Sequence, residues 1–239
     1  MLAMKTDMKT QRTTRGSRAL TLTELLVVVC VLAVAAALLL PALAAAKHKS
    51  SRINCVINLK QVGLAFRIWE GDNGDKYPTQ VSVTNGGAME LAAAGDVSAI
   101  FRVMSNELAT PKILICPWDT NRTAATDFAG GFNNSHISYF VGLDAKDKYP
   151  QMILSGDDHF TVRDVPVKSG LLELSTNSPI VWSPGRHVDS YKPHFWSKTQ
   201  NKPFGNIGLA DGSVQTTTAL AFQSALANTG FATNRLVIP

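Results

Sequence analysis

Few side chains in this 239-residue sequence are grouped as a reaction would need them. His187, Asp189 and His194 fall close together beside Trp182 and Trp196, in a stretch with the texture of a loop. Asp157-Asp158-His159 is a second group of acids and imidazole. Asp72, Asn73 and Asp75 offer oxygen ligands of the kind calcium takes. No HExxH, nucleophile elbow or phosphate-binding loop accompanies any of them, and the distant Glu of a calcium loop is missing. The expectation is therefore a solvated loop at 157–159, a plain turn at 72–75, and packing or surface recognition around the two Trp. Cys30, Cys55 and Cys116 form no CxxC pair and show no zinc spacing. Cys30 lies inside an apolar run. Cys55 and Cys116 could join in an oxidising compartment, but the sequence favours two separate buried thiols over that disulfide. We expect no catalytic activity, no cofactor and no bound metal.

The residue that stands out is Glu24. It is the single carboxylate at the mouth of an apolar run, and 25–46, "LLVVVCVLAVAAALLLPALAAA", carries no charge at all. A charge in hydrocarbon costs on the order of 2.5–3.5 kcal/mol even on a lenient insertion scale, so an acid here needs a reason. One reason is local. Thr21-x-x-Glu24 is a capping box, and a carboxylate in a first helical turn also suits the helix dipole. At 1.5 Å per residue the run spans about 33 Å, enough for a bilayer core of about 30 Å. Pro41 would break a soluble helix, whereas a membrane helix tolerates it and bends there.

The elements that must carry these residues follow from periodicity. Cys55, Leu59, Val62, Phe66 and Trp69 recur at spacings of four and three, one stripe of an amphipathic helix, with Lys60, Gln61 and Arg67 off it. This predicts one helix from about Thr21 to Glu70, some 75 Å long, ended by the turn chemistry of "GDNGD". Beyond residue 75 the texture shifts to short segments separated by Gly, Pro, Asn and Asp. A helix is expected over about 88–108, with Ile100, Phe101, Met104 and Leu108 on one face. Strands are expected in "KILICP", "ISYFVGLDA", "QMILSG", "GLLELS" and "PIVWSP". Asp211-Gly212 within "NIGLADGSVQTTT" predicts a type I′ hairpin, and a last helix covers about 218–228. The fold class is α+β: a long N-terminal helix, membrane half plus amphipathic half, packed on a C-terminal antiparallel sheet. The divisions are a basic leader at 1–19, an apolar helix at 20–46, its amphipathic continuation at 47–70, and a head at 71–239.

Charge is unevenly placed. The net charge is +5, but residues 1–19 hold Lys5, Lys9, Arg12, Arg15 and Arg18 against Asp7 alone. From Asp72 onward there are 13 basic and 15 acidic side chains, so the head lacks the clustered basic face that nucleic acid requires. We exclude a nucleic-acid partner. A basic tail before the apolar run fits a cytoplasmic N-terminus, with Lys47, Lys49 and Arg52 on the far side against that rule.

"ALTLTELLVVVCVLAVAAALLLP" resembles the N-terminus of type IV pilins and of type II secretion pseudopilins. Those precursors carry a basic leader, a small residue, an apolar first residue, Thr, Leu, one variable residue and Glu. The resemblance places cleavage between Ala19 and Leu20, with Thr21, Leu22 and Glu24 at the matching positions and Pro41 at the family's helix bend. Ala19 stands where Gly is usual and Leu20 where Phe is commoner. The cues "RINCVINLKQVGLAFRIWEGDNGDKYP", "ILICPWDT" and "ADGSV" resemble a set of prepilin-like proteins from the Planctomycetes–Verrucomicrobia group. Where that set often has a His ahead of its Asp-Gly, this chain has Asn201.

The resemblance implies a structural subunit of a pilus or secretion pseudopilus. A prepilin peptidase would cut after Ala19 and methylate Leu20. Glu24 would then pair with the freed amine of a neighbouring subunit and fix the register between helices, since an uncompensated charge in low dielectric is penalised severely. Its partners would be that peptidase and methyltransferase, like pilin or pseudopilin subunits, the inner-membrane assembly machinery and membrane lipid. It would cross the inner membrane once, N-terminus cytoplasmic, head periplasmic or extracellular. The rival is an exported soluble enzyme or sugar-binding domain released by ordinary signal peptidase, for which "ALA" at 42–44 and "AAA" at 44–46 offer cleavage sites.

Overall fold

The computed structural model describes residues 21–183 and 203–239. Ala19, Leu20, His187, Asp189, His194, Trp196 and Asn201 lie outside the described residues. The fold is α+β and the chain forms two compact units, 1–44 and 45–239.

The long helix is present as one element, α1 (Leu22–Asp72). Its side chains from Leu22 to Leu40 are exposed, and that stretch is long and apolar enough to cross a membrane. Nineteen residues make about 28 Å of helix, close to a hydrocarbon core. Within the second unit the helix becomes two-faced. Cys55, Leu59, Val62, Phe66 and Trp69, the predicted stripe, are all buried, while Lys60, Gln61 and Arg67 are exposed. The helix ends where expected. The Asn73 and Asp75 N–H groups donate back to the Glu70 carbonyl, with Gly74 and Asp75 in the left-handed region at φ 68° and 57°. Reversal through two left-handed residues is the turn chemistry that Gly and Asp tolerate best.

Among the described residues the head is built on a six-stranded antiparallel sheet with layers on both faces. Its strands are β1 (Tyr139–Gly142), β2 (Ile153–Asp157), β5 (Gly170–Ser175), β7 (Gly205–Leu209), β8 (Val214–Thr217) and β9 (Thr233–Ile238). Their order is β5-β9-β1-β2-β7-β8. A smaller sheet pairs β4 (Val165–Pro166), β3 (Phe160–Val162) and β6 (Ile180–Trp182). Side chains alternate across a strand, and here consecutive residues feed two different cores. Val141, Leu154 and Val237 join Val62, Phe66, Trp69, Ile100, Phe101 and Met104. Phe140, Ile153 and Leu236 join Phe160, Trp182, Phe222 and Leu226 on the opposite face. The last two residues belong to α5 (Ala219–Asn228), the helix predicted at 218–228. Trp182 stacks on Phe222 with ring centroids 5.0 Å apart.

Three local expectations are corrected. The helix over 88–108 is broken into α2 (Met89–Ala93), α3 (Val97–Val103) and α4 (Ser105–Leu108). Gly95 at φ 96° stops the first, and Asp96 caps the second by accepting from the Ala99 N–H at 3.1 Å. The apolar face survives the breaks, since Ile100, Phe101, Met104 and Leu108 are all buried. "KILICP" is no strand. Pro111–Leu114 is a 3-10 turn capped by Thr110, because Pro favours a first helical position and supplies no N–H for a ladder. The Asp211-Gly212 hairpin exists, pairing Gly208 with Val214, but only Gly212 has positive φ. The Gly212 N–H donates to Leu209 O at 3.0 Å, so this is a type I turn closed by a left-handed Gly rather than type I′.

Candidate assembly and anchoring sites

The capping box is formed in full. Glu24 N–H donates to Thr21 Oγ1 at 3.2 Å, and the Thr21 N–H returns a bond to Glu24 Oε2 at 2.8 Å. Thr21 Oγ1 also donates to Glu24 Oε2 at 2.8 Å. Both of Thr21's groups lie on the C-terminal side of a cut between Ala19 and Leu20, so such a cut leaves the box intact. Pro41 sits inside α1, and the helix continues through it.

In the second unit, three contacts hold α1 to the head. The first is covalent: Cys55 and Cys116 form a disulfide with Cα atoms 5.1 Å apart. This overturns the expectation of two separate thiols. The stripe that buries Cys55 brings it to the segment following Pro111, packed with Leu59 and Tyr139, and Asn58 Nδ2 donates to Ile115 O beside it at 3.0 Å. Cys30 is free and exposed. The second contact is the hairpin turn. Gly63 is buried on α1, and a Cβ there would stand 3.7 Å from the Gly212 Cα. Arg67 Nη1 donates to Asp211 O at 3.0 Å, and Tyr77 Oη donates to Ala210 O at 3.2 Å. Ala210-Asp211-Gly212 thus seats its backbone against the helix, a packing role for the "ADG" motif. The third contact is the buried stripe itself.

A buried ionic cluster was not foreseen. Asp157, Asp158 and His159, expected as a solvated loop, are 1, 7 and 8% exposed. Asp157 ends β2, and its Oδ2 accepts from the Asn206 N–H at 2.6 Å and from Asn206 Nδ2 at 2.9 Å. Arg122 pairs with Asp158 and with Asp119, the latter at 3.3 Å, and Asp119 also accepts from Ser138 Oγ at 2.8 Å. Arg122 therefore ties its own 119–122 stretch to the residue that follows β2, and Asp119 ties the same stretch to Ser138 ahead of β1. Paired, hydrogen-bonded carboxylates are how a fold tolerates buried charge. The acid of "CPWDT" and the double acid of "GDDH" were the only signals in the sequence, and neither names its partner. Among the described residues no group of three or more His, Cys, Asp or Glu is placed to hold a metal ion.

Glu70 is a second unforeseen acid, 6% exposed at the end of α1. It lines a cleft with Asp75, Asp147, Lys76, Lys146 and Lys148. Burial pushes its carboxyl above the ordinary carboxylate range; Asp147 and Asp75 push the same way, against Arg67.

No protein family, no curated protein and no solved structure matches this chain.

Proposed function

We propose that this chain is a pilin- or pseudopilin-like structural subunit, anchored by the first half of α1 and assembled with like subunits through it. What supports this reading most is that a single helix, Leu22–Asp72, supplies both an exposed apolar segment and a central stripe of the head's core. A removable secretion signal does not need to be continuous with the core. The Cys55–Cys116 disulfide agrees with a head on the oxidising side of the membrane, which leaves the basic tail in the cytoplasm. Glu24 holds its own helix end in the single chain and becomes the partner of a neighbour's freed amine on assembly. Replacing Glu24 with Ala should leave membrane insertion intact and reduce subunit cross-linking through the apolar half. Unchanged cross-linking would leave Glu24 as a helix cap only.

A further inference from the structure

Two stretches of the head carry the Asn-x-Ser/Thr pattern that accepts an N-linked sugar, Asn121-Arg122-Thr123 and Asn133-Asn134-Ser135. The fold treats them differently. Asn133 Oδ1 caps a 3-10 turn, accepting from the Ser135 N–H at 2.9 Å and from Ser135 Oγ at 2.6 Å. Its Nδ2 donates to Gly131 O at 3.1 Å, so this amide is committed to its own turn. Asn121 and Thr123 are exposed, and their side chains make no hydrogen bond among the described residues. Only their backbone is held: the Asn121 N–H donates to Asp119 Oδ1 at 3.1 Å, and the Thr123 carbonyl meets His136 Nδ1 at 2.8 Å. Between the 3-10 turns at Pro111–Leu114 and Asn134–His136 the chain has neither helix nor strand, the surface-loop setting in which such acceptors lie. Asn121 also opens on a cleft of about 440 Å³ whose other walls are Arg122, Asn134, Ser135, Ser169 and Pro239. Amide, hydroxyl and guanidinium groups make this a surface for a ligand rich in hydroxyls.

We propose that Asn121 is a modification site, carrying an N-linked glycan beside this polar cleft. In the transfer, Asn121 Nδ2 attacks the anomeric carbon of a sugar held on a lipid pyrophosphate. The carbon–nitrogen bond forms and the carbon–oxygen bond to the pyrophosphate breaks. That oxygen leaves with the electron pair, and Nδ2 gives up one proton to a base of the transferase. Thr123 supplies the hydroxyl that completes the acceptor pattern. Asp119 stands two residues ahead of Asn121, giving the longer Asp-x-Asn-x-Thr form, whereas Gly131 stands two residues ahead of Asn133. Asp119 is buried against Arg122 and Ser138, so a transferase that reads this acid does so before that cluster closes. The proposal rests on one part of the reading above, a head on the oxidising side of the membrane, and not on assembly.

The test is a mass map of the full chain recovered from its native membrane. Trypsin without reductant should release residues 53–60 joined through Cys55–Cys116 to residues 113–122, one species that holds both the disulfide and Asn121. That species should carry a sugar mass and yield sugar fragment ions. The sugar should be lost in N121Q and in T123A, return in T123S, and be unaltered in N133Q. Return in T123S separates loss of the hydroxyl from damage to the loop. Bare Asn121, sugar on Asn133 in place of Asn121, or sugar that persists on residues 113–122 of N121Q overturns the proposal. The same species judges export separately. Bare Asn121 with the disulfide formed overturns the glycan alone, whereas bare Asn121 with free thiols overturns the outward placement of the head as well. Methylation at Leu20 and cross-linking through the apolar half do not involve Asn121, so those assays judge the assembly reading by themselves.

Discussion

Removing the Cys55–Cys116 bond tests how the helix is held to the head. The bond closes a loop with a sequence separation of 61 residues. Loop-closure entropy for that length amounts to about 4 kcal/mol of stabilisation, acting through the unfolded chain. For a protein of this size each kcal/mol moves Tm by roughly 2–4 °C, so the double variant C55A/C116A should melt roughly 8–16 °C below the wild type. Thermal melts of the full chain, followed by circular dichroism with and without reductant, measure this directly. Reductant should lower the wild-type Tm and leave C55A/C116A unmoved, whereas C30A should behave as the wild type because Cys30 lies exposed on the apolar half. Equal melting of all three proteins under both conditions would refute the reasoning, as would an intact mass showing free thiols at both positions.

Two further outcomes follow from the core and the helix end. Phe66→Ala removes a fully buried ring that meets Tyr77 and Phe101 edge-on, and should cost about 3–5 kcal/mol by urea denaturation. Glu70→Gln should stabilise the head at neutral pH and have little effect near pH 4. The raised folded-state value means that Glu70's proton is held more tightly in the folded head, so wild-type stability is lost as pH rises from the ordinary 4.5 through the raised value. A Tm difference between Glu70→Gln and wild type that shrinks as pH rises would contradict this.

The parts legible in the sequence were those with long, regular signals. The α1 stripe, read from five residues at helical spacing, is buried at every position. Strands β1, β2, β5, β6, β7 and β8 and helix α5 fall where alternation and turn residues placed them. Short elements failed for local reasons. Pro111 turned an apolar run into a 3-10 turn, and Gly95 with the Asp96 cap divided a helix whose apolar face read as continuous. Strand β9 was missed, although it lies between β5 and β1; "TNRLVI" is six residues with no turn signal of its own. The disulfide and the Arg122 cluster escaped because partners 61 and 36 residues apart are brought together only by the finished fold. Glu24 was legible as a cap, since Thr21-x-x-Glu24 is a local pattern, and its hydrogen bonds form as that pattern requires.

The mature N-terminus tests most directly whether this helix is retained for assembly or discarded on export. Intact-mass and Edman analysis of the protein recovered from its native membrane should find a chain beginning at N-methylated Leu20. A chain beginning at Ala45 or Lys47 would contradict the account, because the apolar half of α1 and Glu24 would then be gone from the working protein.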